Sequence, residues 1–364
     1  MIQLGKPDIS NEDVDFVVKV LESANLVTGK EVQKFEADFS NYVGKEYGIA
    51  VNSGTIALYL SIRGMDLKKV IIPAVTCPDV LNAVLNAGAT PIVVDVDRET
   101  HNLDPEKLTP KIIEEADGLI VTNAYGHPAK LNEITEICQK NGLFFIEDFS
   151  QSTGAYYRKQ KCGSFGEISI TSFYGPKAIT TGHGGMILTN SKNFCHKLRV
   201  LRGDMPYEYV ESMVPLNFKM TDFQAALGRS QLKRLDSFVE RRRKIAKQYD
   251  AALEDIASTN TSIDFLKEHE DVIHSYYKYV ILLNKIDKLL FIEEMRKRGI
   301  QVGGLYDPPL NRSKIFKKFV PDDVSLPVAE KCVSRSVSIP MYPSMSVEDV
   351  NMVIDSIRQV VQNV

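Results

Sequence analysis

The sequence predicts an α/β fold, a mostly parallel sheet covered by helices on both faces and followed by a smaller α+β unit. Three observations lead there. Short apolar runs recur at Lys69–Pro73, Pro91–Val96, Leu119–Thr122 and Leu143–Ile146. Helical patterns at Val80–Asn86 and Leu131–Gln139 separate most of them, and buried strands alternating with helices pair in parallel. The chain's 364 residues, 44% hydrophobic and 25% charged, suffice for two ordinary globular cores.

The elements follow in order. Ser10 caps a first helix whose Val14, Val17, Val18 and Leu21 fall at helical spacing, with Asp13 near its positive end. Lys45–Val51 reads as a short strand that runs into Asn52-Ser53-Gly54-Thr55 and then the helical run Ile56–Leu60. After the four apolar runs, a helix is expected from Phe223 to Leu235, and residues 230–253 form a long amphipathic helix with Leu232, Leu235, Ile245, Tyr249 and Leu253 on one stripe. Its basic run Arg241-Arg242-Arg243-Lys244 reads as a solvated face beside Asp236 and Glu240. Tyr276–Leu283 is a strand and Leu289–Arg298 a helix ended by Gly299. Residues 346–362 make a last helix, capped by Ser346 with Glu348 and Asp349 in its first turn. A boundary near residue 245 divides a large α/β domain, 1–245, from a smaller α+β domain, 246–364.

Composition narrows the function. Lys+Arg 44 against Asp+Glu 47 leaves a net charge of −3, which gives no electrostatic footprint for nucleic acid or a membrane surface. No apolar run approaches the roughly 18 residues of a membrane helix, and the polar start predicts no secretory signal. Five scattered cysteines without a CxxC pair predict a reducing cytoplasm rather than disulfides or zinc. The six histidines show no HExxH spacing, so no protein-bound metal is expected.

Three segments carry chemistry. Ser53-Gly54-Thr55 lies between a strand and a helix, where exposed N–H groups bind phosphate and glycine allows close approach. In Leu143-Phe144-Phe145-Ile146-Glu147-Asp148-Phe149-Ser150-Gln151, Asp148 ends an apolar strand, the usual place for ligand-binding groups in open α/β sheets. A carboxylate there can hold a cationic heterocyclic nitrogen, with the Gln151 amide turned to a neighbouring oxygen. Lys177, in Ser172-Phe173-Tyr174-Gly175-Pro176-Lys177 ahead of Gly182-His183-Gly184-Gly185, can serve as a Schiff-base amine. Each alone has a plainer reading, as turn punctuation, a turn cap or a solvated lysine. Together, in that chain order, they describe a pyridoxal phosphate site.

Longer motifs carry a family likeness. Val51-Asn52-Ser53-Gly54-Thr55-Ile56-Ala57-Leu58, Glu147-Asp148-Phe149-Ser150-Gln151 with Gly154-Ala155-Tyr156, and Gly163-Ser164-Phe165-Gly166 ahead of Lys177 stand in a family's order and spacing. So do Leu26-Val27-Thr28-Gly29, Asn217-Phe218-Lys219-Met220 with Gln224-Ala225-Ala226, and Ile339-Pro340-Met341-Tyr342-Pro343. The sequence resembles, along nearly its whole length, the DegT/DnrJ/StrS sugar aminotransferases, within the fold-type-I (aspartate aminotransferase-like) pyridoxal phosphate enzymes.

That resemblance implies a large domain with a seven-stranded sheet and a set of roles. Lys177 is the Schiff-base lysine and proton shuttle, Asp148 pairs with the pyridine nitrogen, and Gln151 approaches the ring hydroxyl. Gly54, Thr55 and Ser172 hold the phosphate, and Asn217 reaches the cofactor of a neighbouring subunit, so the working unit is a homodimer with shared sites. Cys77 stands where the family usually places an aromatic ring against the cofactor. His183 replaces a carboxylate in the Gly-rich turn, Lys219 replaces an arginine, and Asn311 replaces a histidine after Tyr306-Asp307-Pro308-Pro309-Leu310; His183 and Tyr306 are the candidates for touching substrate. The implied reaction moves an amino group from L-glutamate to a nucleotide-diphosphate keto sugar. A keto-cyclitol aminotransferase, a sugar dehydratase and a catalytically inactive cofactor-binding regulator remain alternatives. Retention of Lys177 speaks against the dehydratases, which carry histidine there.

Overall fold

Seven strands form the central sheet of the computed structural model, which describes residues 1–204, 215–260, 262–320 and 324–363. In chain order come β1 (Tyr47–Val51), β2 (Lys69–Pro73), β3 (Thr90–Val94), β4 (Gly118–Thr122) and β5 (Phe144–Asp148). A short hairpin of β6 (Tyr156–Tyr157) and β7 (Gln160–Lys161) lies outside this sheet, which β8 (Ile168–Ser172) and β9 (Gly185–Thr189) complete. The order across it is β1-β9-β8-β5-β4-β2-β3. Only β9 runs against its neighbours, antiparallel to both β1 and β8.

The helices of this unit are α1 (Asn11–Glu22), α2 (Lys30–Val43), α3 (Gly54–Gly64), α4 (Pro78–Asn86), α5 (Pro110–Glu114), α6 (Leu131–Asn141), α7 (Lys192–Arg202) and α8 (Asp222–Leu232). Successive strand residues point to opposite faces. Val70, Ile72, Ile120 and Ile146 therefore meet α3, α4 and α7, while Ile71, Leu119, Val121 and Phe145 meet α2, α6 and α8. Burial on both faces explains why these strands read as unbroken apolar runs.

The chain leaves this unit along α9 (Leu235–Asn260), so residue 245 falls inside a helix. Beyond it lie β10 (Ile263–Phe265), β11 (Val272–Ile273), β12 (Tyr279–Leu283), α10 (Lys288–Lys297), β13 (Gly303–Gly304), α11 (Lys314–Phe319), α12 (Pro327–Arg335), β14 (Ser336–Ile339) and α13 (Val347–Asn363). Strands β10, β12, β14 and β13 form a four-stranded antiparallel sheet, while β11 pairs with β6 of the first unit. The second core gathers Tyr249, Leu253, Phe291, Met295 and Val353 together with Ile2, which bridges Ile300 from the far end of the chain. Among the described residues no helix is long and apolar enough to cross a membrane.

Four expectations need correction. Ser10 does cap α1, in a reciprocal capping box with Asp13, but Val14 and Leu21 are each 50% exposed; the inward side is Asp13 and Val20. Asp13 is held there by Gln231 at 2.7 Å and by Arg234. The helix expected over 230–253 is two helices, broken at Lys233-Arg234 where Arg234 turns back to Asp8 at 2.7 Å. The strand begins at Tyr279 rather than Tyr276, whose φ of +47° is incompatible with extended backbone. The basic run is no solvated face: Arg242 is 2% exposed and donates to the carbonyls of Tyr276, Tyr277 and Met341. Arg243 pairs with Glu268, which leaves Lys244 with Glu240 as the surface pair of that run.

Candidate active site

The parallel strands end at one edge of the sheet, and the candidate residues gather there. Strand register does the gathering: Val51 pairs with Gly185, Gly185 with Ser172, and Asp148 stands between Thr122 and Ile170. The turn after β1 is thereby laid against the end of β8. A Cβ built on Gly54 would lie 2.6 Å from the Ser172 Cβ and 3.1 Å from its Oγ, so only glycine permits that approach. Ser53 Oγ accepts from the Ile56 amide at 3.2 Å and caps α3. The amides of Gly54 and Thr55 open α3 and so have no carbonyl partner within it, and Gly54 lies against the Ser172 side chain. Amides at a helix N-terminus with hydroxyls beside them suit a phosphate.

Asp148 is 8% exposed and accepts from the Ser150 amide at 2.9 Å. Burial raises its carboxyl above the ordinary aspartate range, against the pull of the Ser150 bonds and the Lys177 charge. Glu147 points to the opposite face and is structural. It accepts from the amides of Gly163 at 2.7 Å and Phe165 at 3.0 Å, fixing the turn that leads into β8. Lys177 is half-buried, its amide donating to Tyr174 O at 2.9 Å and its Nζ lying 4.7 Å from the centre of the Tyr277 ring.

Cys77 stands at the N-cap of α4 with its Sγ 3.6 Å from Asp79 Oδ2. Burial pushes its thiol up, with smaller influences from Asp79, Lys177 and Asp148. Gln151 is buried, its Oε1 accepting from the Tyr125 amide at 2.9 Å, and its side chain faces the Tyr306 hydroxyl, which burial raises. Tyr306 stacks on Tyr125 with ring centres 6.0 Å apart and planes at 15°.

Two candidates lie apart. His183 is exposed and meets the Tyr174 ring at a tilt, with centres 5.3 Å apart and planes at 51°; among the described residues no hydrogen bond or ring contact joins it to Lys177. Asn217 is exposed beside the turn after β1, where Phe218 O accepts from the Asn52 amide at 2.9 Å. It does not cap α8, because Thr221 and Gln224 form that capping box. Asn311 is buried and structural, donating to Val324 O and Glu330. Sequence reasoning missed Tyr125 and Tyr277; an aromatic pair, Tyr276-Tyr277, at the start of an expected strand was the available signal.

The donor set fits pyridoxal phosphate: amides opening α3 and a hydroxyl for the phosphate, a buried carboxylate for a ring cation, and an amine nearby. Unpartnered buried acceptors mark the same edge, Asn52 Oδ1 after β1, Thr76 Oγ1 after β2 and Thr122 Oγ1 ending β4. Each can still take a hydrogen bond from a polar group seated at this edge.

A profile of the DegT/DnrJ/EryC1/StrS aminotransferase family matches residues 7–358. The GDP-perosamine synthase of Escherichia coli O157:H7 is 30% identical over 369 residues, covering 98% of both chains. The spore coat polysaccharide biosynthesis protein SpsC of Bacillus subtilis is 31% identical over 98% of this chain and 96% of its own. Among solved structures, Helicobacter pylori PseC, an aminotransferase involved in the biosynthesis of pseudoaminic acid, superposes with a TM-score of 0.92 at 25% identity over 100% of both chains.

Proposed function

Since the chain belongs to the DegT/DnrJ/EryC1/StrS aminotransferase family, whose members are pyridoxal-phosphate enzymes, we propose that it transfers the amino group of L-glutamate to a keto sugar carried on a nucleotide diphosphate. The observation that carries this reading is the convergence of Lys177, Asp148 and the Gly54–Ser172 contact on one sheet edge. The GDP-perosamine synthase of E. coli and the H. pylori aminotransferase of pseudoaminic acid biosynthesis support the sugar class.

Bound pyridoxal phosphate supplies a carbonyl that takes up an amino group and a cationic ring that withdraws electrons. Asp148 keeps a proton on the ring nitrogen: a carboxylate shielded from water pairs strongly with a cation, which relieves the burial that raises its pKa. Lys177 Nζ accepts and returns a proton as the amino group changes hands, and the Tyr277 face beneath it keeps that amine in position. The Gly54 and Thr55 amides and the Ser172 hydroxyl grip the phosphate. The Gln151 amide turns to the ring oxygen while the Tyr125 amide fixes its other end. Cys77, at the N-cap of α4, would offer the ring a polarizable sulfur. Tyr306, beside Gln151, is the side chain assigned to meet substrate, and His183 would reach it only from the exposed Gly-rich turn.

Asn217 completes the phosphate site of a second copy, so the working unit is a homodimer. The exposed apolar side chains Val14, Val18, Leu21 and Val27 supply a face for that copy to cover. Five free cysteines suit a cytoplasmic enzyme. Glutamate with a panel of UDP-, dTDP- and GDP-keto sugars and free keto-cyclitols, read by 2-oxoglutarate release, tests the proposal. Release with cyclitols and no nucleotide sugar would overturn the acceptor assignment.

A further inference from the structure

Lys278 lies immediately before β12 and has no role in the assignments above. Its amide donates to Tyr125 O at 3.0 Å, which fixes its backbone to the wall that carries Gln151. Its side chain shares an aromatic ring with Lys177: Lys278 Nζ is 5.2 Å and Lys177 Nζ 4.7 Å from the centre of the Tyr277 ring. The tip lies against the N-terminal segment, 3.6 Å from a Cβ built on Gly5. Among the described residues no carboxylate pairs with it. The charged groups that face it are cations, Arg242 from α9 and Lys177 from the loop after β8. Arg242 is already committed to three carbonyls. Burial first, then those two charges, hold Lys278 down to about 8. A half-buried ammonium among cations, without a counter-ion, is costly to the folded chain and favours any anion that arrives.

We propose that Lys278 is a substrate-binding residue whose ammonium group receives an anionic oxygen group of the substrate seated at Lys177. Two sources share that chemistry, the carboxylate of the amino donor and the diphosphate of the sugar. A donor whose nitrogen is at Lys177 carries its α-carboxylate two bonds away, within the reach of a neighbouring ammonium. The inference rests on the aminotransferase reading of this site.

The test uses the cofactor-loaded protein with Lys278→Met, which keeps the stem, and Lys278→Arg, which keeps the charge. Calorimetry measures binding of glutarate, a dicarboxylate without amino or keto group, and of inorganic pyrophosphate. A lost charge-assisted hydrogen bond weakens binding about 10- to 100-fold. A loss of that size for glutarate alone in Lys278→Met identifies the donor carboxylate, for pyrophosphate alone the diphosphate, and for both a site open to either, with Lys278→Arg close to wild type in each case. Unchanged binding of both anions by folded Lys278→Met overturns the inference. If that variant does not fold, the wild type decides: affinity for at least one probe falls as pH rises through about 8, and flat affinity for both between about pH 7 and 9.5 overturns it. Glutamate turnover by the wild type is measured separately, so failure of the aminotransferase reading is distinguishable from failure at Lys278.

Discussion

Replacing Gly54 with alanine tests whether the turn after β1 holds the cofactor. The new Cβ would sit 2.6 Å from the Ser172 Cβ, whereas carbon atoms rest about 3.5–4.0 Å apart, so the two must separate by roughly 1 Å or more. Ser172 cannot yield freely, because β8 is paired on both sides, to β5 and to β9. The start of α3 must therefore move, and with it the Gly54 and Thr55 amides. Overpacking of this kind costs about 1–3 kcal/mol of stability. Loss of one or two charge-assisted hydrogen bonds to phosphate costs a further 10- to 100-fold or so in cofactor affinity. Gly142→Ala separates the two effects. At φ +67° with nothing within 4 Å, it strains only the backbone of a helix C-cap, a penalty of about 1–2 kcal/mol with no consequence for the site. Thermal denaturation of the apo proteins and cofactor titration by absorbance provide the comparison. Both variants should melt earlier, and only Gly54→Ala should bind the cofactor poorly. Cofactor affinity in Gly54→Ala within about twofold of wild type would refute the cradle.

Borohydride reduction of the holoenzyme followed by peptide mapping should fix the cofactor on Lys177, and Lys177→Ala should abolish the linkage; labelling of any other lysine would sink the assignment. Asp148→Asn should cut turnover by about 100-fold or more without loosening the fold, since burial already disfavours its charge; near-normal turnover would leave Asp148 as a turn residue. Burial holds His101 and His127 down to about 4, below the ordinary histidine value. Between about pH 6.5 and 4 the unfolded chain binds protons that the folded chain refuses, so stability is complete above this window and falls through it by about 1.4 kcal/mol per pH unit for each histidine; equal urea midpoints at pH 7 and 5 would contradict this. Mixing inactive Lys177→Ala and Asn217→Ala subunits should restore activity, because a heterodimer has one site free of both substitutions; no recovery with heterodimers verified would remove Asn217 from the partner's site.

The central sheet was legible because its strands are buried on both faces, and burial on both faces writes itself as runs such as Lys69–Pro73, which β2 matches residue for residue. Glycine spacing and strand-end acids pointed to the candidate residues for a related reason: the approach of Gly54 to Ser172 leaves no room for another residue, and Asp148 lies at the end of an apolar run. What escaped were contacts made between segments distant in sequence. Tyr277 faces Lys177 across a gap of 100 positions, and Tyr125 meets Tyr306 only because the second unit folds back onto the sheet edge. Arg242 looked like any surface arginine, since nothing near it in sequence reveals that three carbonyls converge on its guanidinium.

Helix α1 shows the remaining limit most sharply. Val14, Val18 and Leu21 keep a helical spacing that points to a covered face, yet within one chain that face is open, and α1 is anchored by its polar side through Asp13 to Gln231 and Arg234. Periodicity reports that a stripe avoids water and is silent about which surface covers it. An aspartate that is fully buried and ion-paired, opposite an apolar stripe left bare, inverts the usual order of a surface helix. The inversion is economical if a second copy covers the stripe, because α1 then packs by charge against its own chain and by apolar contact against its partner. Leu26 and Val27 continue that exposed apolar surface, and Leu26 O accepts from the Asp222 amide at the start of α8, the helix that Asn217 precedes. Exposed apolar side chains at Val14, Val18, Leu21, Leu26 and Val27 are therefore the positions at which covering by a second copy is to be tested, by whether their polar variants lower the oligomeric state.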